Sequence, residues 1–254
     1  MDLGLRGKVA MVAASSKGLG YGIARELARE GALVSIGSRT ESEIHDAAEV
    51  LTNETGGDVL ANVLDASDPK SIQAWTDATA DAFGGVDLLV VNAGGPPAGR
   101  FDDFEDADWQ AAFELTLMSS VRMVRSVLPF MREASGGSIL TITSVSVKEP
   151  IDFLLLSNVF RSGVTSLAKS LSQQLAPESI RVNNLMPGRI DTDRVRSLDT
   201  MNADAKDVLA EEVKAANELG IPLGRYGTIE EFGKLGAFLL SDAASYITGQ
   251  TIAV

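Results

Sequence analysis

A chain of 254 residues with no cysteine and one histidine, His45, excludes disulfides, thiolate nucleophiles and cysteine-ligated metals, and gives a serine–histidine–aspartate or histidine–zinc site little support. Its formal net charge of −13 argues against nucleic acid and anionic membrane as partners, although a local basic pocket can still hold a small anion. With 45% hydrophobic residues and a mean hydropathy of +0.10 there is ample material for a packed core; no leader-like N-terminal run or membrane-length apolar stretch is legible, so a cytoplasmic protein is expected.

Short apolar runs alternate with helical periods along the chain. Residues 8–14 read as a first strand, followed by a glycine turn. A helix comes next, with Ile23, Ala24, Leu27 and Ala28 at helical spacing and Gly31 in the C-terminal capping position. Residues 32–37 read as the second strand, and Thr40 with Glu43 is spaced as a capping box for the next helix. Residues 59–64 form the third strand, and Asp68-Pro69 is an N-cap followed by proline at the first helical position. A fourth strand over 86–91, a long helix over 109–131, a fifth strand over 138–143, a helix over 157–176 and a sixth strand over 180–185 follow. The polar, helical stretch 193–219 comes after the C-terminal end of a strand, where ligands bind in such sheets; it reads equally as a substrate lid or as a surface excursion. Thr228 and Glu231 form a second capping box, for a helix ending at Leu240, and residues 250–254 read as a last strand. The alternation predicts a doubly wound α/β fold: one domain over 1–254, a parallel sheet of about seven strands, helices on both faces and right-handed crossovers.

Between the first strand and the first helix lies Ala14-Ser15-Ser16-Lys17-Gly18-Leu19-Gly20. Glycines there let the backbone approach a pyrophosphate, and a helix N-terminus offers free N–H groups and a positive dipole. At the end of the second strand an NAD enzyme usually places an acid for the ribose hydroxyls; this chain has Ser38-Arg39 and no acid. Lys17 and Arg39 could together grip a 2′-phosphate, which favours NADP(H) over NAD(H).

These motifs, with those that follow, resemble the short-chain dehydrogenase/reductase family, and within it the 3-oxoacyl-(acyl carrier protein) reductases, across essentially the whole chain. The first loop is similar to T-G-x-x-x-G-x-G, read as Ala13 to Gly20. Asn92-Ala93-Gly94 matches the N-A-G motif after the fourth strand, and Ser144 falls where the family keeps its catalytic serine. Arg181-Val182-Asn183, Pro187-Gly188, Gly224-Arg225, Ser241-Asp242 and Ile247-Thr248-Gly249-Gln250 match the later pattern. The resemblance implies a Rossmann-type fold, with Asp65 at the adenine and Thr192 at the nicotinamide carboxamide. It also sets Ala66, Pro187, Gly188 and Ile190 along the cofactor, and implies a homodimer or homotetramer through the helices over 109–131 and 157–176. Val164, Leu167, Ala168 and Leu171 form an apolar stripe that suits an interface or the core equally.

Three departures stand out. The first loop has Ala13-Ala14 where the family has Thr-Gly, which the turn accommodates if the alanine φ stays negative. No glycine pair with a preceding acid follows the last strand. Thirteen residues after Ser144, where the family's Y-x-x-x-K begins, the chain reads Ser157-Asn158-Val159-Phe160-Arg161, and the supporting asparagine is replaced by Thr116. Serine is a far weaker acid than tyrosine, and arginine does not shuttle protons. Ser144 could still polarise a carbonyl. Tyr21, Tyr226 and Tyr246 are poorly placed to substitute. Lys148 is an alternative proton donor, with a solvated loop cation as the plainer reading, and Arg189 is either a substrate anchor or a surface charge.

The expectation is an NADP-dependent oxidoreductase acting on a small carbonyl or alcohol, with Ser144, Ser157, Arg161 and Thr116 at its reaction centre and Arg161 also holding the cofactor. The alternative is a catalytically silent NADP(H)-binding sensor. A structural subunit that binds no nucleotide is the weakest reading.

Overall fold

The sheet is built from β1 (Val9–Ala13), β2 (Leu33–Ser38), β3 (Val59–Val63), β4 (Leu88–Val91), β5 (Gly137–Ile142), β6 (Ile180–Met186) and β7 (Thr251–Ala253). In the computed structural model, which describes residues 2–254, these strands pair in parallel in the order β3-β2-β1-β4-β5-β6-β7. All of β1 and β4 is buried, as expected of strands covered on both faces. The chain winds outward from β1 to β3, then returns to the other side of β1 with β4, where Val12 pairs with Val90. This reversal leaves a crevice at the C-terminal ends of β1 and β4.

One face of the sheet carries α1 (Gly18–Arg29), α2 (Glu41–Thr55) and, much later in the chain, α9 (Ile229–Leu240); Ile23, Leu27, Ile44, Leu51 and Phe232 fill its core. α1 and α9 approach so closely that a Cβ at Gly22 or Gly233 would collide with the backbone of the other helix. The opposite face is filled by Trp75, Met123, Val127 and Met131, from α3 (Pro69–Phe83) and α5 (Ser119–Glu133). The buried Trp75 indole donates to Ser35 Oγ at 2.9 Å, so its polar edge is satisfied inside the core. α6 (Leu155–Gln174) also packs there. Val164 and Ala168 are buried within the subunit, so that part of the apolar stripe serves the core.

Two sequence expectations are corrected. The helix expected over 109–131 is α4 (Asp106–Ala112), a π-turn over Phe113–Met118, and then α5. Thr40 does cap α2 by position, but its side chain makes no capping bond and Glu43 pairs with Lys17 instead, at 3.6 Å. The other caps are as expected: Asp68 accepts from the Lys70 N–H, and Thr228 and Glu231 form a reciprocal box. The stretch 193–219 forms α7 (Asp193–Lys206) and α8 (Ala210–Leu219). Among the described residues no helix is long and apolar enough to cross a membrane.

Candidate active site

A cavity of about 1010 Å³ fills the crevice and runs from the loop after β2 to the start of α7. At its phosphate end the loop after β1 turns sharply into α1. Ala14 sits at φ +49°, which corrects the expectation of a negative φ. The turn needs this left-handed residue, and Asn92 Nδ2, just past the end of β4, holds it by donating to the Ala14 carbonyl at 3.3 Å. Ser15 ties the turn to the sheet, donating to Val12 O (2.6 Å) and accepting from Gly37 N–H (3.2 Å). Gly20 lies beneath the loop, not on the cavity wall, and a Cβ there would lie 2.5 Å from Ala14 O. No side chain caps the N-terminus of α1 and no acid lies in its first turn, so its N–H groups are available to an anion.

At the end of β2, Ser38 Oγ is buried without a hydrogen-bond partner. Arg39 lines the cavity and has no carboxylate within 4.0 Å, whereas Lys17 faces Glu43 (3.6 Å) and Asp193 (3.8 Å). Asp65 does not reach the wall, which Leu64 and Ala66 form. Its carboxylate accepts from Ser67 Oγ (2.7 Å) and Ser67 N–H (2.9 Å), and these bonds, with Arg39 nearby, hold its pKa below the usual range.

At the other end, Ser144 starts the one-turn helix Val145–Val147 and its Oγ accepts from the Ser146 N–H at 3.1 Å. Ser157, in the first turn of α6, accepts from Arg161 Nε at 3.2 Å. One terminal nitrogen of Arg161 donates to the carbonyls of Ile142 (3.0 Å) and Thr143 (3.3 Å), which locks the side chain against the end of β5. Burial, and secondarily the neighbouring Arg194, lower the Arg161 pKa to about 10, so it stays charged at neutral pH. Arg194, in the first turn of α7, reaches across the cleft to donate to Pro96 O at 3.1 Å, lying against the bare face of Gly95. Thr192 accepts from Val195 N–H at 3.3 Å and so caps α7. Arg189 is neither a free anchor nor a solvated charge, because the buried Asp199 takes it at 3.1 Å.

The structure brings together Ala14, Ser16, Lys17, Gly18, Leu19, Ser38, Arg39, Ala66, Asn92, Ala93, Gly94, Ser144, Ser157, Arg161, Pro187, Gly188, Ile190 and Thr192 around one cavity. It does not bring Thr116, which is buried in the π-turn with Oγ1 unpartnered while Leu115 takes the cavity face. Lys148 is exposed and off the cavity, and so is His45; Tyr226 is buried away from it, Tyr246 is exposed, and Tyr21 lines a separate shallow groove. Sequence reasoning missed Arg194 and Arg196. Their signal was placement: cations in the first turn of a helix oppose the helix dipole and need another reason to be there.

A family model described as enoyl-(acyl carrier protein) reductase matches residues 13–254. A Streptomyces virginiae protein assigned as the ketoacyl reductase of the monensin polyketide synthase is 35% identical, over 97% of this chain and 95% of its own. Dehydrogenase/reductase SDR family member 4 of Sus scrofa is 34% identical, over 98% of this chain and 86% of its own. The chain belongs to the short-chain dehydrogenase/reductase family. Among solved members, L-sorbose reductase from Gluconobacter frateurii, complexed with NADPH and L-sorbose, superposes with a TM-score of 0.94 at 30% identity, over 100% of this chain and 97% of its own. A variant of the actinorhodin polyketide ketoreductase with NADPH gives 0.93 at 29% identity, over 97% and 95%. These relatives make the chain an oxidoreductase by family.

Proposed function

We propose that this protein is an NADP(H)-dependent oxidoreductase interconverting a small carbonyl compound and its alcohol, with Ser144 and Ser157 as the two hydroxyls that bind the reacting oxygen. The residues at both ends of the cavity fit the cofactor. The orphaned Ser38 Oγ and the unpaired Arg39 suit a 2′-phosphate, and the uncapped α1 N-terminus suits the pyrophosphate. NADPH bound there supplies the hydride. Ala66 borders the adenine, with Asp65 behind the wall, and Asn92, Ala93, Gly94, Pro187, Gly188, Ile190 and Thr192 border the nicotinamide half.

The observation that carries the reading is the state of the two serines. Each accepts from an N–H, Ser144 from Ser146 and Ser157 from Arg161, so each keeps its O–H to offer into the cavity. Two hydroxyl donors lining one cavity can stabilise a developing alkoxide, and the Arg161 charge behind Ser157 strengthens that donor. Ser157 and Arg161 stand in this reading where the family has tyrosine and lysine. Arg161 positions Ser157 and carries no proton, so the alkoxide takes its proton from solvent through Ser157. Helices α7 and α8 act as the substrate lid, 3-oxoacyl compounds fall within the substrate range, and the protein works in the cytoplasm as a homodimer or homotetramer.

The test is calorimetry with NADPH and NADH, followed by turnover of a carbonyl panel. The expected result is tighter NADPH binding and measurable reduction that falls about 10²–10³-fold in Ser144→Ala. The second reading, a nucleotide sensor, is favoured by the absence of any tyrosine from the wall. It predicts NADPH binding with no turnover at high enzyme concentration, and activity appearing only in the double variant Ser157→Tyr/Arg161→Lys.

A further inference from the structure

Burying a guanidinium is tolerated when its donors are used or its charge is paired. Arg181 shows the first solution, giving its two terminal nitrogens to the carbonyls of Leu239, Leu240, Ser241 and Ile247. Arg189 shows the second, paired with Asp199 at 3.1 Å. Arg161 takes the first solution only in part, through Nε and one terminal nitrogen, and Arg194 takes neither. The second terminal nitrogen of Arg161 makes no hydrogen bond, Arg194 uses one nitrogen on Pro96 O, and neither has a carboxylate within 4.0 Å. The two charges also disfavour each other across the cavity they share. The nearby acids are committed elsewhere: Asp191 to Arg196 at 2.8 Å, Asp193 to Arg196 at 3.4 Å and to Lys17 at 3.8 Å.

We propose that Arg161 and Arg194 form an anion subsite for a carboxylate of the substrate, so that the substrate class is an oxo acid and its hydroxy acid. This rests on the hydride-transfer reading above. Arg161 Nε touches Ser157 Oγ, so an anion on its unused nitrogen is held by the same guanidinium that positions one of the hydroxyls offered to the carbonyl. Arg194 closes the subsite from α7. Its position in the first turn of that helix adds the dipole of the α7 N-terminus to the field on the anion. Gly95 leaves the space that the guanidinium occupies in crossing the cleft. The same positive field could instead hold the pyrophosphate, and the experiment separates the two.

The experiment measures kcat/KM with saturating NADPH for matched pairs: a 2-oxo acid and its methyl ester, a 3-oxo acid and its methyl ester. A 3-oxoacyl thioester is included. NADPH Kd is measured separately, and all are repeated in Arg194→Gln and Arg194→Lys. The expected result is an acid-over-ester preference of at least about tenfold that collapses in Arg194→Gln and is partly kept in Arg194→Lys. Equal or better use of the esters or the thioester overturns the subsite while leaving hydride transfer intact. So does an Arg194→Gln effect confined to NADPH Kd, which assigns the arginine to the pyrophosphate. If no carbonyl turns over, hydride transfer fails, and titrating the hydroxy acid into the NADP complex decides the subsite. Binding lost in Arg194→Gln keeps it, and no binding removes it.

Discussion

A left-handed alanine costs about 1–2 kcal/mol relative to its ordinary conformations, and Ala14 adopts one at φ +49°. The loop enforces it: Asn92 holds the Ala14 carbonyl, and Gly20 passes directly beneath. Ala14→Gly should remove the strain but also lose about 0.4–1 kcal/mol through the larger entropy of the unfolded chain. The net expectation is a gain of roughly 0.5–1 kcal/mol, read as a higher urea midpoint at unchanged m-value. An unchanged or lower midpoint would mean that the turn does not impose the conformation. The sign of this φ was not legible in the sequence, because a side chain restricts φ while loop closure selects it. Ser144, Ser157 and Arg161 were legible as positions. What could not be read is that Arg161 binds Ser157 and the end of β5 at once, since that depends on the angle at which α6 meets the sheet.

At the scale of elements, the alternation of apolar runs located every strand and nearly every helix, because burial on both faces leaves strong local patterns. It did not locate the π-turn at Phe113–Met118, since one extra residue rotates a helix face by about 100° without disturbing the average period. That rotation explains why Leu115 and not Thr116 meets the cavity. Nor did it show how α7 and α8 are fastened. Asp199, 4% exposed, accepts from Tyr226 Oη (2.8 Å), Asn217 Nδ2 (3.1 Å) and Arg189 (3.1 Å), joining both helices to the loops before α7 and α9. Burial, and next the bond to Asp199, raise the Tyr226 pKa, so this donor keeps its proton throughout the physiological range. Tyr226→Phe removes one bond to a buried charge, worth about 1.5–3 kcal/mol. The expected outcome is faster amide exchange confined to residues 193–219, with a raised KM and a smaller change in NADPH affinity. Exchange rising equally across the sheet would make the network a general stabiliser and not the fastening of a lid.

Across the whole molecule, charge is distributed unevenly. A chain of net charge −13 lines its cavity with Lys17, Arg39, Arg161, Arg189, Arg194 and Arg196 against Glu43, Asp191 and Asp193. The acidic remainder is partly tied down in surface pairs, and one of them bears on the cavity from a distance. Arg225 holds Glu231 at 2.6 Å, and Glu231 accepts from the Thr228 N–H to cap α9. α9 packs against α1, which carries the phosphate loop, and its first residue, Ile229, lines the cavity. The bond to Arg225 above all lowers the Glu231 pKa to about 2, and Asp65, Glu178 and Glu230 are also held below their ordinary range. A carboxylate depressed on folding contributes stability that is fully present above its unfolded value, about 4.3 for Glu. That contribution is lost as pH falls through the folded value. Thermal melts of the wild type and Glu231→Gln should therefore differ most at pH 6–7, and the gap should narrow steadily below about pH 4.3. Because the pair is exposed, 0.5 M salt should shrink the gap at every pH. NADPH affinity should instead weaken in Glu231→Gln by a similar factor at pH 7 and pH 5, because the folded carboxylate, with its pKa about 2, stays ionised over that range and the lost cap loosens α9 against α1 at both. A gap that is constant with pH would place the effect in the hydrogen-bond geometry of the cap and not in the charge of Glu231.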